Sequence, residues 1–249
     1  MVMKHLLVGA MALIATLGVG CGNTSSIDTD SVEPVKMEIF EMYDQDACLE
    51  FARFVVSSKM GECSELALML YFGAEIGGLH DAQLESAMLS YKPLAIAAEQ
   101  DMMKVDMLLN SESMQKAVTS YFGPDVRFVW SQFNVGGDNN ANYFILFALR
   151  GYNGEAQPFI DGSYVTDAEA NPMMGSYAVA MKFNVKGAER IYEVTKRNVN
   201  RSLAVLLDGR VYSMPVIMSD IVGGQFSISA DLTKEDAERL AVAITKYAY

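Results

Sequence analysis

Residues 35–42 alternate apolar and polar positions, with Val35, Met37 and Ile39 on one side, and predict a strand. From Asp44 the period lengthens: Cys48, Leu49, Ala52, Val55 and Val56 follow helical spacing from an N-cap at Asp44 to a stop at Gly61. Further helices are predicted over 65–74 and from a cap at Asp81 to Tyr91, ahead of Pro93. A strand at 94–98 follows, then helices at 102–109 and 112–121 with Ser111 as the cap between them. After the break at Gly123-Pro124, residues 126–130 and 143–149 read as a hairpin around a Gly/Asn-rich loop at 136–140.

The last third is more regular. Residues 176–183 alternate, with Tyr177, Val179 and Met181 on one face. A helix over 186–199 turns Ala188, Ile191, Tyr192 and Val194 or Thr195 inward. Strands at 202–207 and 211–218 flank Asp208-Gly209, a hairpin turn signal, and a strand at 225–230 places Phe226 and Ile228 together. Thr233 and Asp236 form a capping box for a final helix whose inner face is Ala237, Leu240, Ala241 and Ile244. The expected fold class is α+β: an antiparallel sheet with helices on one face, preceded by a helix-rich α+β segment.

With 51% hydrophobic and 20% charged residues among 249, the chain has the composition of a folded protein. The net charge of -12 disfavours nucleic-acid partners, because an acidic surface repels phosphates. Two histidines in the whole chain leave little room for His-based metal sites or Ser-His-Asp catalysis.

Residues 1–20 read as a signal segment: one lysine near the start, then an apolar stretch too short for a comfortable membrane span. The stretch ends in Gly18-Val19-Gly20-Cys21, a lipobox-like junction with Gly18 where Leu is usual. The expectation is a lipoprotein acylated on Cys21, with residues 21–34 as a flexible linker and the folded part facing the periplasm. An ordinary secretory signal with an incidental Cys21 is the alternative. Cys48 and Cys63 could pair as a disulfide in an oxidising compartment, or stand as buried thiols; both readings are open.

The run Leu203-Ala204-Val205-Leu206-Leu207-Asp208-Gly209-Arg210-Val211-Tyr212-Ser213-Met214-Pro215-Val216-Ile217 resembles the head of the first periplasmic domain of SecD and fused SecDF. So do Tyr177-Ala178-Val179-Ala180-Met181 and Gly187-Ala188-Glu189 before it, and Ile221, Gly223-Gly224, Phe226-Ser227-Ile228 and 233–237 after it. Upstream, 125–130 with 143–149, 97–109 and 37–43 are similar to the same region in fused SecDF of the Bacteroidetes type. Asn200 stands where the family has Gly, and Asn tolerates the left-handed conformation; Ala230 replaces a second Gly. At Tyr249 the family pattern would continue into its base and membrane helices, so the expectation is a chain without the charged intramembrane groups that the family uses for proton coupling. The resemblance implies a head-like subdomain over 126–249 and a separate helix-rich subdomain over 35–125. It also implies a binding protein that contacts translocating polypeptide or the Sec translocon, with no cofactor and no proton-motor activity. An adaptor that uses the same fold to recognise a folded envelope partner is the competing reading.

Candidate chemistry is sparse. Asp44 with Asp46 and Glu235 with Asp236 sit at predicted helix starts, where carboxylates favour the helix dipole, and Asp28 with Asp30 lie in the linker. His80 has no evident nucleophile near it in sequence, so no catalytic residue is assigned. Met107 and Met114 are expected on helical core faces and Trp130 as a core anchor. The candidate partner-binding residues are Tyr212, Met214 and Pro215: Pro215 cannot donate to a ladder, which suggests a sheet edge, and alternation puts Tyr212 and Met214 on one face.

Overall fold

The computed structural model describes residues 28–248, apart from 75, 77–81 and 137–140. Cys21, His80, Asp81 and the centre of the 136–140 loop lie outside the described residues. The chain divides into two compact units, Met42–Gln157 and the residues up to Glu41 with Pro158–Tyr249.

The Met42–Gln157 unit holds α1 (Gln45–Ser57), α2 (Gly61–Met69), β2 (Leu70–Tyr71), α3 (Ala82–Tyr91), β3 (Ala95–Ala98), α4 (Met102–Leu109), α5 (Glu112–Phe122), β4 (Val126–Gly136) and β5 (Asn142–Arg150). Its strands are antiparallel in the order β2-β3-β5-β4. One apolar cluster joins them to the helices: Phe51 and Val55 of α1, Leu66 of α2, Val105 of α4, Met114 and Val118 of α5, and Leu146 of β5. Trp130 anchors this core, and its indole donates to Asp106 Oδ1 at 2.8 Å, fixing α4 to the sheet. The ladder of β4 shifts register between Trp130 and Asn134. Buried Ser131 fills that bulge, accepting from the Ile145 N–H at 3.0 Å and donating to the Phe133 carbonyl at 2.6 Å. Because β5 pairs with β3 and supplies Leu146 and Ala148 to the cluster, the β4–β5 hairpin belongs with residues 42–122. The division expected at residue 125 is corrected accordingly.

Two helical faces also differ from expectation. In α1 Phe51 is buried and Val56 is 44% exposed, so the inner stripe is Cys48, Phe51, Ala52 and Val55. In α4 the buried residues are Met102, Val105 and Leu109, and Met107, expected in the core, is 69% exposed.

The other unit begins with β1 (Met37–Met42) and continues with β6 (Ile160–Asp161), β7 (Val165–Met173), β8 (Ser176–Phe183), α6 (Val185–Arg197), β9 (Leu203–Leu207), β10 (Arg210–Ser213), β11 (Gln225–Leu232) and α7 (Lys234–Tyr247). Its strands form an antiparallel set β10-β9-β1-β6 and a three-stranded sheet β11-β8-β7. The α+β class holds in both units. The expected inner face of α7 is buried, and Thr233 caps it: the Thr233 hydroxyl accepts from the Asp236 N–H at 3.2 Å. Each fully buried Leu or Ile on such a face contributes about 2 kcal/mol.

Strand β1 was expected in the N-terminal subdomain, yet it pairs with β9 from Met37↔Leu207 to Glu41↔Leu203. Both of its faces are buried, and with them two glutamates. Each has a cationic partner, as burial of charge demands: Glu38 meets Lys36 at 2.9 Å, and Glu41 accepts from Arg197 Nε and Asn198 Nδ2.

Candidate binding surface

The Asp208-Gly209 turn has positive φ at both residues, 48° and 78°, the conformation that matches the twist of a tight hairpin. It reverses β9 into β10, and Val211 pairs with Leu206 before the register shifts at Ser213. The strand ends there, short of the expected 218. The chain nevertheless stays beside the segment that enters β9. The Leu203 N–H donates to the Pro215 carbonyl at 3.1 Å, and the Ile217 N–H to the Arg201 carbonyl at 2.9 Å. The Asn200 N–H donates to the Ile217 carbonyl at 2.7 Å. Asn200 does adopt the left-handed conformation, with φ 64°.

Beyond Ile217 the loop to β11 is tied at two more points. The Ile221 N–H donates to the hydroxyl of buried Thr195 on α6 at 3.0 Å, and the Gly224 carbonyl accepts from the Phe183 N–H at 2.9 Å. Gly224 has φ 68°, and a Cβ there would lie 2.6 Å from the Ala188 Cβ. Held in this way, the loop turns Val216, Met218 and Val222 outward, with exposures of 56%, 78% and 80%. This anchored loop, the crown, thus carries three large exposed apolar side chains.

The predicted residues directly precede this loop in the chain. Tyr212, Met214 and Pro215 are each half-buried. Burial, and then the negative charge of Asp236, push the Tyr212 phenol up to about 12. Pro215 lies beyond β10 and contributes its carbonyl to the β9 side. Sequence reasoning passes over Met218 and Val222 as contacts: it reads 211–218 as one strand and takes only Ile221 from 219–222, as part of the family pattern. The available signal was the Gly223-Gly224 pair closing an apolar segment.

Cys48 and Cys63 are separate buried thiols in the structure, so the pairing alternative is not realised. The Cys63 thiol points instead at the Met114 thioether, 3.6 Å away. Burial, reinforced by Asp44, drives the Cys48 thiol up to about 12, and burial likewise raises Cys63. Neither has the thiolate character that nucleophilic chemistry needs. Asp236 serves the α7 cap with Thr233, and Glu235 in the same first turn accepts from Arg239 at 3.4 Å. Asp44 occupies the N-cap position of α1 without a side-chain bond there.

Residues 148–248 match the family model for the SecDF P1 head subdomain. SecD of Syntrophobacter fumaroxidans is 38% identical over 87 residues, which is 34% of this chain and 16% of that protein. SecDF of Thermus thermophilus is 38% identical over 88 residues, covering 35% of this chain and 12% of that protein. The alignment with SecD of Borreliella burgdorferi is longer, 29% identical over 125 residues, 49% of this chain and 20% of that protein. The chain therefore spans a small part of these relatives. A solved SecDF, described as a membrane component that enhances protein export, is 21% identical, with 84% of this chain and 92% of that chain covered and a TM-score of 0.34. Among the described residues no helix is long and apolar enough to cross a membrane. The strands, turns and helix that build the crown all fall inside the matched segment, and over residues 148–248 this chain is similar to the SecDF P1 head subdomain.

Proposed function

We propose that the chain is a lipid-anchored envelope protein whose head subdomain binds exported polypeptide or a Sec component, without catalytic or proton-motor activity. The observation that carries this reading is the crown of Val216, Met218 and Val222 within the matched head segment. Exposed apolar side chains on an anchored loop suit transient contact with extended apolar chain, and the methionine adapts to varied partners. The anchor reading rests on the signal-like residues 1–20 and Cys21.

Photocrosslinking from position 218 in intact cells tests the binding. A ladder of exported proteins, or a Sec component, supports the reading. One discrete folded partner favours the adaptor instead. Cys21→Ser tests the anchor: it abolishes lipid labelling and releases the protein from membranes, and retention after a high-salt wash refutes the lipoprotein assignment.

A further inference from the structure

In the Met42–Gln157 unit, helix α2 runs antiparallel to α4. At one end Glu62 of α2 accepts from the hydroxyl of Ser113, at the start of α5 just beyond the end of α4. One turn along, Glu65 meets Lys104 at 2.5 Å. At the other end α2 leads into β2, whose Leu70 pairs with Ala97, upstream of α4. This antiparallel course brings Leu68, one turn beyond Glu65, to the Met103 end of α4. Met103 and Met107 are four residues apart and share a helical face. All three point outward, with exposures of 86% for Leu68, 76% for Met103 and 69% for Met107.

The polar groups around this seam are mainly acidic. Glu62 and Glu65 flank it on α2, while exposed Glu99 and half-buried Asp101 stand at the entry to α4. The cation at the seam, Lys104, is engaged by Glu65. Adaptable methionines beside a leucine, within a carboxylate rim, are complementary to a segment that is apolar on one side and cationic on the other. The net charge of -12 on the whole chain acts in the same direction and disfavours an anionic lipid surface.

We propose that the α2–α4 face is a docking surface for a basic, amphipathic polypeptide segment, with Leu68, Met103 and Met107 as its apolar contacts and the surrounding carboxylates selecting for lysine and arginine. This surface does not depend on the crown of the head subdomain.

The test is fluorescence anisotropy of the full chain with a labelled Leu/Lys amphipathic helix of about 18 residues. Two control peptides keep the same pattern, one with Glu for Lys and one with Ser for Leu. The Leu/Lys peptide binds and both controls bind at least about tenfold more weakly. Leu68→Ser with Met103→Ser and Met107→Ser removes binding. Glu99→Gln with Asp101→Asn weakens it several-fold and flattens its salt dependence. If the triple variant melts early, Met107→Ser alone carries the test, with at least about threefold loss expected. Equal binding of the Glu peptide, or unchanged affinity in these variants, overturns the proposal. So does a dimer of the wild-type chain in sedimentation that the triple variant abolishes, since the face would then be occupied by a second copy.

Discussion

Asp208 and Lys36 clasp one another through their backbones and a carboxylate. The Asp208 N–H donates to the Lys36 carbonyl, and Asp208 Oδ1 accepts from the Lys36 N–H, each at 2.9 Å. A turn residue of the β9–β10 hairpin thus closes the end of the β1–β9 ladder. Asp208→Ala removes the acceptor and strains a position with φ 48°, and it lowers the unfolding free energy by about 2 kcal/mol. Asp208→Asn keeps both features and costs less than half as much. Urea titration of the two variants checks the order.

Glu41 and Arg197 should respond unequally to substitution. The Glu41 side chain is 7% exposed and that of Arg197 is 48% exposed. Glu41→Gln leaves an acceptor for Asn198 and a cation that can reach water, at a cost of about 1 kcal/mol. Arg197→Met strands a buried carboxylate and costs about 3 kcal/mol. Equal losses in chemical denaturation contradict this account.

Gly224→Ala forces a Cβ against Ala188 at a positive φ and costs about 3 kcal/mol. Gly223 also has a positive φ, 101°, but a Cβ there meets nothing within 4 Å, so Gly223→Ala costs about 1 kcal/mol. Thermal melting ranks the pair.

Cys48 gives a pH dependence with a definite sign. Its thiol is held protonated in the folded state up to about pH 12, whereas in the unfolded chain it ionises near pH 8.5. The stabilisation is complete below the unfolded value and is lost as pH rises through this interval. Native Cys21→Ser protein is inert to a thiol reagent at pH 8 and reacts at Cys48 and Cys63 in guanidinium. Labelling of the native protein at the denatured rate excludes the buried-thiol assignment.

Tyr212→Ala with Met214→Ala removes two half-buried side chains just ahead of the crown in the chain and lowers the melting temperature by several degrees. Met218→Ser removes an exposed side chain, leaves melting unchanged and reduces crosslinking from a probe placed at position 222. A double variant that melts normally but captures no partner moves the contact from the crown to Tyr212 and Met214.

The contrast between legible and illegible elements has a physical basis. The inner face of α7 could be read because its apolar residues occupy one stripe and its Thr233–Asp236 cap is local. Helix α4 could not be oriented from spacing. Residues 102, 103, 105, 107, 108 and 109 are all apolar, and the burial of Met102, Val105 and Leu109 accompanies the long-range Asp106–Trp130 bond. Strand β7 was absent from the reading altogether. Most of Val165–Met173 is exposed or half-buried, so no alternation marks it, and its ladder to β8 runs from Val165↔Phe183 to Met173↔Ser176. Alternation identified β1 as a strand but not its partner, which lies far along the chain. In the crown, the outward residues depend on tertiary ties at Thr195, Arg201 and Phe183 that no short-range pattern encodes.

The place of β1 has a consequence for the order in which the protein can form. This strand precedes the Met42–Gln157 unit in the chain, but its neighbours, Leu203–Leu207 and Ile160–Asp161, emerge only after the whole of that unit. This unit must therefore close a long loop late, which slows assembly and leaves Glu41 in water until Arg197 and Asn198 arrive. Once closed, the Val35 N–H donates to the Ala243 carbonyl at 3.0 Å and Lys246 Nζ to the Val32 carbonyl at 2.9 Å. The entry to the first strand and the last turn of the final helix become neighbours, so a circularly permuted head that joins them, with β1 made last, should fold faster than the natural order allows.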